Sequence, residues 1–304
     1  MMPSLEVKIG NLSFKNPVLT ASGTFGYGLE YSQFIDLNIL GGIVVKGLSL
    51  KPKQGNPLPR IYETPCGMIN SIGLQNIGLE AFKKEKLPFL KKFNTNIIVN
   101  FFGENLEEYI EIATLLDEIQ EVHALEMNVS CPNKTSEWRK MGLEPELLRE
   151  AVKKVRMHIK KPLIIKLSPQ VTDISLMARI CEEEGADAVS LINTIPAMVI
   201  DIKTRKSMLG TPTGGLSGPA IRPVALRAVW EVAQAVRISV IGVGGIITAE
   251  DALQFLIAGA RAVQVGTANF INPVATVEII EGINQFLIEE NIKDINEIIG
   301  SFKE

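Results

Sequence analysis

Eight short runs of apolar, largely β-branched residues alternate with longer stretches of helical periodicity along this 304-residue chain. The runs cover residues 17–22, 42–46, 96–102, 125–130, 163–168, 188–193, 240–244 and 262–266. Several are apolar along most of their length, as strands buried on both faces must be, whereas half-exposed strands would alternate. Between them, 106–119, 145–159, 174–184, 219–236 and 249–258 carry apolar residues on one helical face. Such alternation makes βαβ units and a parallel sheet. Eight units in one chain favour closure over an open doubly wound sheet. The predicted fold is an α/β (β/α)8 TIM barrel, one domain over residues 1–304, since barrels of roughly 250 residues form single units.

Local signals refine this frame. Pro145 and Pro219 fall where helices should begin and a missing N–H costs little, and Thr248 is placed to cap the segment after it. The opening stretch 5–16 alternates apolar and polar residues around Gly10-Asn11, predicting a hairpin that plugs one end of the barrel. Two excursions, 48–77 after the second strand and 194–217 after the sixth, leave strand C-termini. That end carries the active site in this fold, and long ordered loops there tend to be lids or binding loops.

Composition removes several function classes. Hydrophobic residues make up 46% and charged residues 21%, an ordinary globular balance, and the formal charge of −3 leaves no basic block suited to nucleic acid. The start, Met1-Met2-Pro3-Ser4, lacks the charged-then-apolar pattern of a signal peptide, and no apolar run reaches the roughly 18 residues of a membrane span. A cytoplasmic location is expected. Cys66, Cys131 and Cys181 are far apart, and only His123 and His158 could add imidazole ligands, so neither a disulfide framework nor a metal site is expected. Any cofactor should be organic.

Gly242-Val243-Gly244-Gly245 ends the seventh strand and Val265-Gly266-Thr267-Ala268 the eighth. Glycines there let backbone N–H groups approach a phosphate, and these two loops commonly form a phosphate site in barrels. The turns alone do not separate a flavin phosphate from a sugar phosphate. Lys46 and Lys166 interrupt apolar strands near their C-termini, where two matched cations fit a substrate carboxylate or the N1/O2 edge of a reduced flavin better than two snorkelling lysines. Asn70, Asn100, Asn128 and Asn193 stand at strand ends or adjoining loops; each could be a turn residue, but amides also suit a planar ligand with alternating C=O and N–H groups. Cys66 and Cys181 read as packing residues, whereas Cys131 follows the fourth strand beside Pro132, where a thiol could act as base or nucleophile.

Taken in order, several stretches resemble the dihydroorotate dehydrogenase family across essentially the whole chain. They are Ala21-Ser22-Gly23-Thr24-Phe25-Gly26, Val45-Lys46-Gly47, Asn70-Ser71-Ile72-Gly73-Leu74-Gln75-Asn76, Asn128-Val129-Ser130-Cys131-Pro132-Asn133, Lys166-Leu167-Ser168-Pro169, Ile192-Asn193-Thr194 and Gly214-Gly215-Leu216-Ser217-Gly218-Pro219-Ala220, with the two glycine turns. Cysteine rather than serine at 131 is similar to the soluble class. The glycine stretch at 214–220, with Asp201-Ile202-Lys203-Thr204-Arg205-Lys206 upstream, is similar to the NAD-dependent type.

The resemblance implies one FMN per chain and oxidation of dihydroorotate to orotate in pyrimidine biosynthesis. Electrons would pass to NAD+ through a partner subunit carrying FAD and a [2Fe–2S] cluster, in a heterotetramer of two catalytic and two electron-transfer subunits. Cys131 would remove the C5 proton while the C6 hydride moves to the flavin. Lys46, Asn70, Ser71, Ile72, Gly73, Leu74, Asn128, Asn193 and Thr194 would hold the substrate. Ser22, Lys46, Gly47, Asn100, Asn128, Lys166 and Ile192 would contact the flavin ring region, and Gly218, Gly244, Gly245, Gly266 and Thr267 its ribityl-phosphate. One stretch departs from the family: after Cys131-Pro132-Asn133, a glycine-rich loop is replaced by Lys134-Thr135-Ser136-Glu137-Trp138-Arg139-Lys140-Met141-Gly142, expected to act as a lid. The alternatives are a fumarate-linked enzyme or related pyrimidine-ring reductase, a phosphosugar aldolase or isomerase using Lys166 as a Schiff base, and a non-catalytic flavin-binding subunit.

Overall fold

The computed structural model describes residues 2–130 and 140–303. Eight parallel strands close into a barrel: β1 (Val18–Thr20), β2 (Gly42–Leu48), β3 (Asn96–Phe101), β4 (Ala124–Asn128), β5 (Leu163–Lys166), β6 (Ala188–Leu191), β7 (Ser239–Val243) and β8 (Ala262–Val265). Each pairs with its sequence neighbours, and β8 returns to β1 through Val263↔Val18 and Val265↔Thr20. Every residue of β5, β6 and β8 is buried, which explains why these runs are apolar without alternation.

Helices α1 (Leu106–Asp117), α2 (Pro145–Arg156), α3 (Ile174–Glu183), α4 (Arg222–Ala235), α5 (Ala249–Ile257) and α6 (Ala275–Glu289) follow strands and cover the barrel. Their starts are fixed by side chains that satisfy otherwise orphaned N–H groups: Asn105 accepts from Glu108, Asp173 from Leu176, and Thr248 from Asp251, whose carboxylate accepts in return from the Thr248 N–H. Segment 219–236 is not one α-helix. Pro219–Ile221 forms a single 3-10 turn before α4, because Pro223 has no N–H to donate back to residue 219. After β2 an irregular helix runs through Leu79–Ala81, a π turn at Phe82–Lys86, and Leu87–Leu90. No helix among the described residues is long and apolar enough to cross a membrane.

The hairpin forms as Val7–Ile9 and Leu12–Phe14 in antiparallel register. Gly10 lies against Asp187, just before β6, and the fully buried Phe14 ring lies against Gly42 at the start of β2. Both contacts are at the N-terminal ends of strands, so the hairpin closes the barrel's floor and leaves the C-terminal mouth for ligands.

The two excursions are not separate loops. Ile61–Thr64 and Gly67–Asn70 from the first join Ile195–Ala197 and Gly214–Ser217 from the second in one antiparallel sheet, with Gly67–Asn70 paired to Gly214–Ser217. Cys66 sits in the turn between the first two of these strands and is exposed, so it is not the packing residue expected; a tight turn at a sheet end has no interior to fill. Cys181 is fully buried in α3, and burial raises its thiol pKa.

Candidate active site

A cavity of about 980 Å³ opens at the C-terminal ends of the barrel strands. Ser22, Lys46, Gly47, Asn70, Ser71, Ile72, Gly73, Leu74, Asn100, Asn128, Lys166, Ile192, Asn193, Thr194, Gly218, Gly244, Gly245, Gly266 and Thr267 all line it. Residues from all eight barrel strands or the loops that follow them therefore converge on one volume. Cys131 and the stretch through Arg139 lie outside the described residues; Ser130, immediately before, lines the cavity.

At one side the amides are oriented by their own hydrogen bonds. The Asn128 Oδ1 accepts from the Ser130 N–H at 3.1 Å and from Asn193 Nδ2 at 3.3 Å, which leaves the Asn128 NH₂ as a donor. Asn193 Oδ1 accepts from the Thr194 N–H at 2.8 Å. Asn70 gives one N–H to the Gly215 carbonyl at 3.3 Å, across the sheet built by the two excursions. The half-buried Lys46 ammonium, which lines the same cavity, has no ion-pair partner among the described residues, and burial, reinforced by the Arg60 charge, lowers its pKa. One cation and several free amide donors suit a planar anion rich in carbonyl oxygens.

Elsewhere in the lining three glycine-bearing segments meet. Gly245 has φ 72°, and a Cβ there would come within 2.7 Å of both the Gly218 carbonyl oxygen and Arg222 Cβ. A side chain at 245 would thus push the β7 loop off the start of α4. Thr267, after β8, donates to Ser217 Oγ at 2.8 Å, tying the third segment to the same corner.

Two lining residues, Asn100 and Lys166, belong to a buried polar network that the sequence reading missed in part. Glu126, in β4, is fully buried and accepts from Asn100 Nδ2 at 2.7 Å, Ser190 Oγ at 2.9 Å and Gln264 Nε2 at 2.5 Å. Lys166 Nζ stands 4.0 Å from the same carboxylate. The network joins β3, β4, β5, β6 and β8 across the barrel interior. A carboxylate inside the run Ala-Leu-Glu-Met-Asn carried the same kind of signal as the two strand lysines and could have been flagged with them.

The cavity also fits an organic ligand with polar edges. Among the described residues, buried Ser71 Oγ and Ser130 Oγ, both from the lining, have no hydrogen-bond partner, and nothing within 4 Å would meet a Cβ on Gly23. Buried hydroxyls without partners are rare in a finished interior and mark where a bound group would complete the bonding. No cluster of three His, Cys, Asp or Glu residues able to hold a metal occurs among the described residues.

The family model for dihydroorotate dehydrogenase matches residues 4–287. Over 303 residues, covering all of both chains, the sequence is 91% identical to a Thermodesulfovibrio yellowstonii protein named dihydroorotate dehydrogenase B (NAD(+)), catalytic subunit. Proteins bearing the same name are 56% identical in Trichlorobacter lovleyi over 303 residues and 55% identical in Thermoanaerobacter pseudethanolicus over 300, covering 100% and 99% of both chains respectively.

Proposed function

Because the chain belongs to the dihydroorotate dehydrogenase family, we propose that it is the catalytic subunit of a two-component oxidoreductase that converts dihydroorotate to orotate for pyrimidine biosynthesis. The observation that carries this reading is one cavity whose lining combines a glycine corner, oriented amides and the Lys46 cation, with Asn100 and Lys166 backed by the buried Glu126 carboxylate. The glycine corner at Gly218, Gly244, Gly245, Gly266 and Thr267 would take the FMN phosphate, and Ser22, Gly47, Asn100, Lys166 and Ile192 would border its ring. When bound, FMN supplies the acceptor for the hydride that leaves C6 of the substrate.

This chain's residues do the remaining work. Lys46 balances the substrate carboxylate, while the amides of Asn70, Asn128 and Asn193, with the chain at 71–74 and Thr194, hold the ring in a fixed pose over the flavin site. Much of the barrier to such a transfer is removed by positioning. Cys131 takes the proton from C5, a role worth roughly 10²–10⁴-fold in rate. The reading extends to a cytoplasmic location and to a partner subunit with FAD and a [2Fe–2S] cluster that carries electrons to NAD+, two of each subunit per complex.

Anaerobic addition of dihydroorotate to the FMN-loaded chain tests the core of the proposal: the yellow flavin colour should bleach. Turnover with NAD+ should then require the co-purified partner, and fumarate should not substitute. A chain that takes up FMN yet keeps its colour with dihydroorotate would overturn the assignment of substrate.

A further inference from the structure

We propose that Glu126 is a positioning residue for the cofactor ring, fixing which polar atoms of Asn100 and Lys166 face the cavity. The inference rests on the flavin reading above. An ionised carboxylate only accepts hydrogen bonds, so each neighbour must turn a donor toward it. Asn100 spends Nδ2 on Glu126 at 2.7 Å, which sends its Oδ1 the other way. That oxygen lies against Gly47: a Cβ at 47 would come within 2.7 Å of it. Lys166 Nζ, at 4.0 Å from Glu126, keeps a counter-charge while its N–H donors stay free for the cavity that Lys166 lines. Asn100 and Lys166, both held by the same carboxylate oxygen, thus offer the cavity an acceptor and a cationic donor. This matches the pyrimidine edge of a flavin, where an N–H is flanked by carbonyl oxygens. Were the Asn100 amide reversed, it would turn its oxygen toward the carboxylate and lose that bond.

The network also fixes Glu126 itself. Ser190 and Gln264 donate to its second oxygen from β6 and β8, so the side chain is held from both flanks of the barrel interior. Neither Ser190 nor Gln264 lines the cavity, so both act on the ligand only through Glu126.

Glu126→Gln decides the matter, because it keeps size but sets an NH₂ against neighbours that already donate. FMN affinity, read from the recovery of free-flavin fluorescence on dilution, should fall at least about tenfold. The flavin that remains bound should show an altered absorbance envelope and a more positive midpoint potential, since the carboxylate behind Asn100 and Lys166 is replaced by a neutral amide. Unchanged affinity and potential would overturn the proposal. So would weakened binding with an unaltered spectrum and potential, the mark of a merely structural role. If Glu126→Gln does not fold, Ser190→Ala serves, as it removes one donor to Glu126 and no cavity-lining side chain. It should weaken FMN binding about two- to fivefold and alter the absorbance envelope of the bound flavin, and wild-type behaviour would refute the role. Wild-type protein that binds no FMN would instead defeat the flavin reading itself.

Discussion

Asn193 donates through Nδ2 to Asn128 Oδ1 at 3.3 Å, so an amide from the end of β4 and one from just past β6 orient each other. Asn193→Ala would free the Asn128 amide to turn, and the substrate would lose two oriented donors rather than one. The expected cost is about 1–3 kcal/mol, a KM for dihydroorotate raised roughly five- to hundredfold with FMN content intact. Steady-state kinetics on the loaded enzyme check this, and an unchanged KM would show that the pair faces no substrate.

The proposed role of Cys131 as base predicts that Cys131→Ala lowers kcat by about 10²–10⁴ while leaving FMN affinity within error. Single-turnover bleaching by dihydroorotate separates the two quantities. Full turnover in this variant would assign the proton to another group.

Gly47→Ala places a Cβ 2.7 Å from Asn100 Oδ1, nearer than carbon and oxygen pack, and the amide must move. FMN affinity should drop at least about tenfold, with a thermal shift smaller than that of a core truncation. Equilibrium dialysis against FMN gives the answer.

Lys46 sets a pH limit. Its pKa is lowered in the folded protein, mainly by burial and further by Arg60. The unfolded chain therefore holds this proton more tightly; the group opposes folding most below its folded-state value, and that opposition fades as pH rises through it. Anion binding has the opposite dependence, since it needs the cation. Orotate affinity should begin to fall at a pH beneath the ordinary lysine value of about 10.4, and the fall should vanish in Lys46→Arg, whose guanidinium stays charged. Calorimetric titration across pH measures it; a flat wild-type profile through that range would contradict the assignment.

Phe14 tests the floor plug. Truncation to alanine removes a fully buried ring beside Gly42 and should cost about 3–5 kcal/mol of stability, without altering the midpoint potential of bound flavin. Denaturant unfolding and a redox titration of the same sample report both numbers.

The barrel was legible because burial on both faces writes itself into the chain as unbroken apolar runs, and β5, β6 and β8 carry that mark in full. Lys46 and Lys166 stood out for the same reason, as charges within such runs. The antiparallel sheet of the two excursions was not legible: its central partners, Gly67–Asn70 and Gly214–Ser217, are far apart in sequence, and their glycines give no alternation. Cys66 was misplaced with it, since a turn cannot be told from a core position until the strands around it are known. Glu126 was passed over because periodicity reports which face is inside, not that an inside face can hold a carboxylate when three donors surround it.

The register of that sheet carries an evolutionary and engineering constraint. Asn70 lies opposite Gly215, while the next residue, Leu216, lies opposite Ile69. Slippage by a single position would set a bulky aliphatic group against the asparagine and reverse which side of the ribbon each arm shows. The arms therefore have to vary together: a chimaera that borrowed only one of them from a distant homologue would risk a mismatched seam, and Asn70 would be displaced with it even where its own identity was kept.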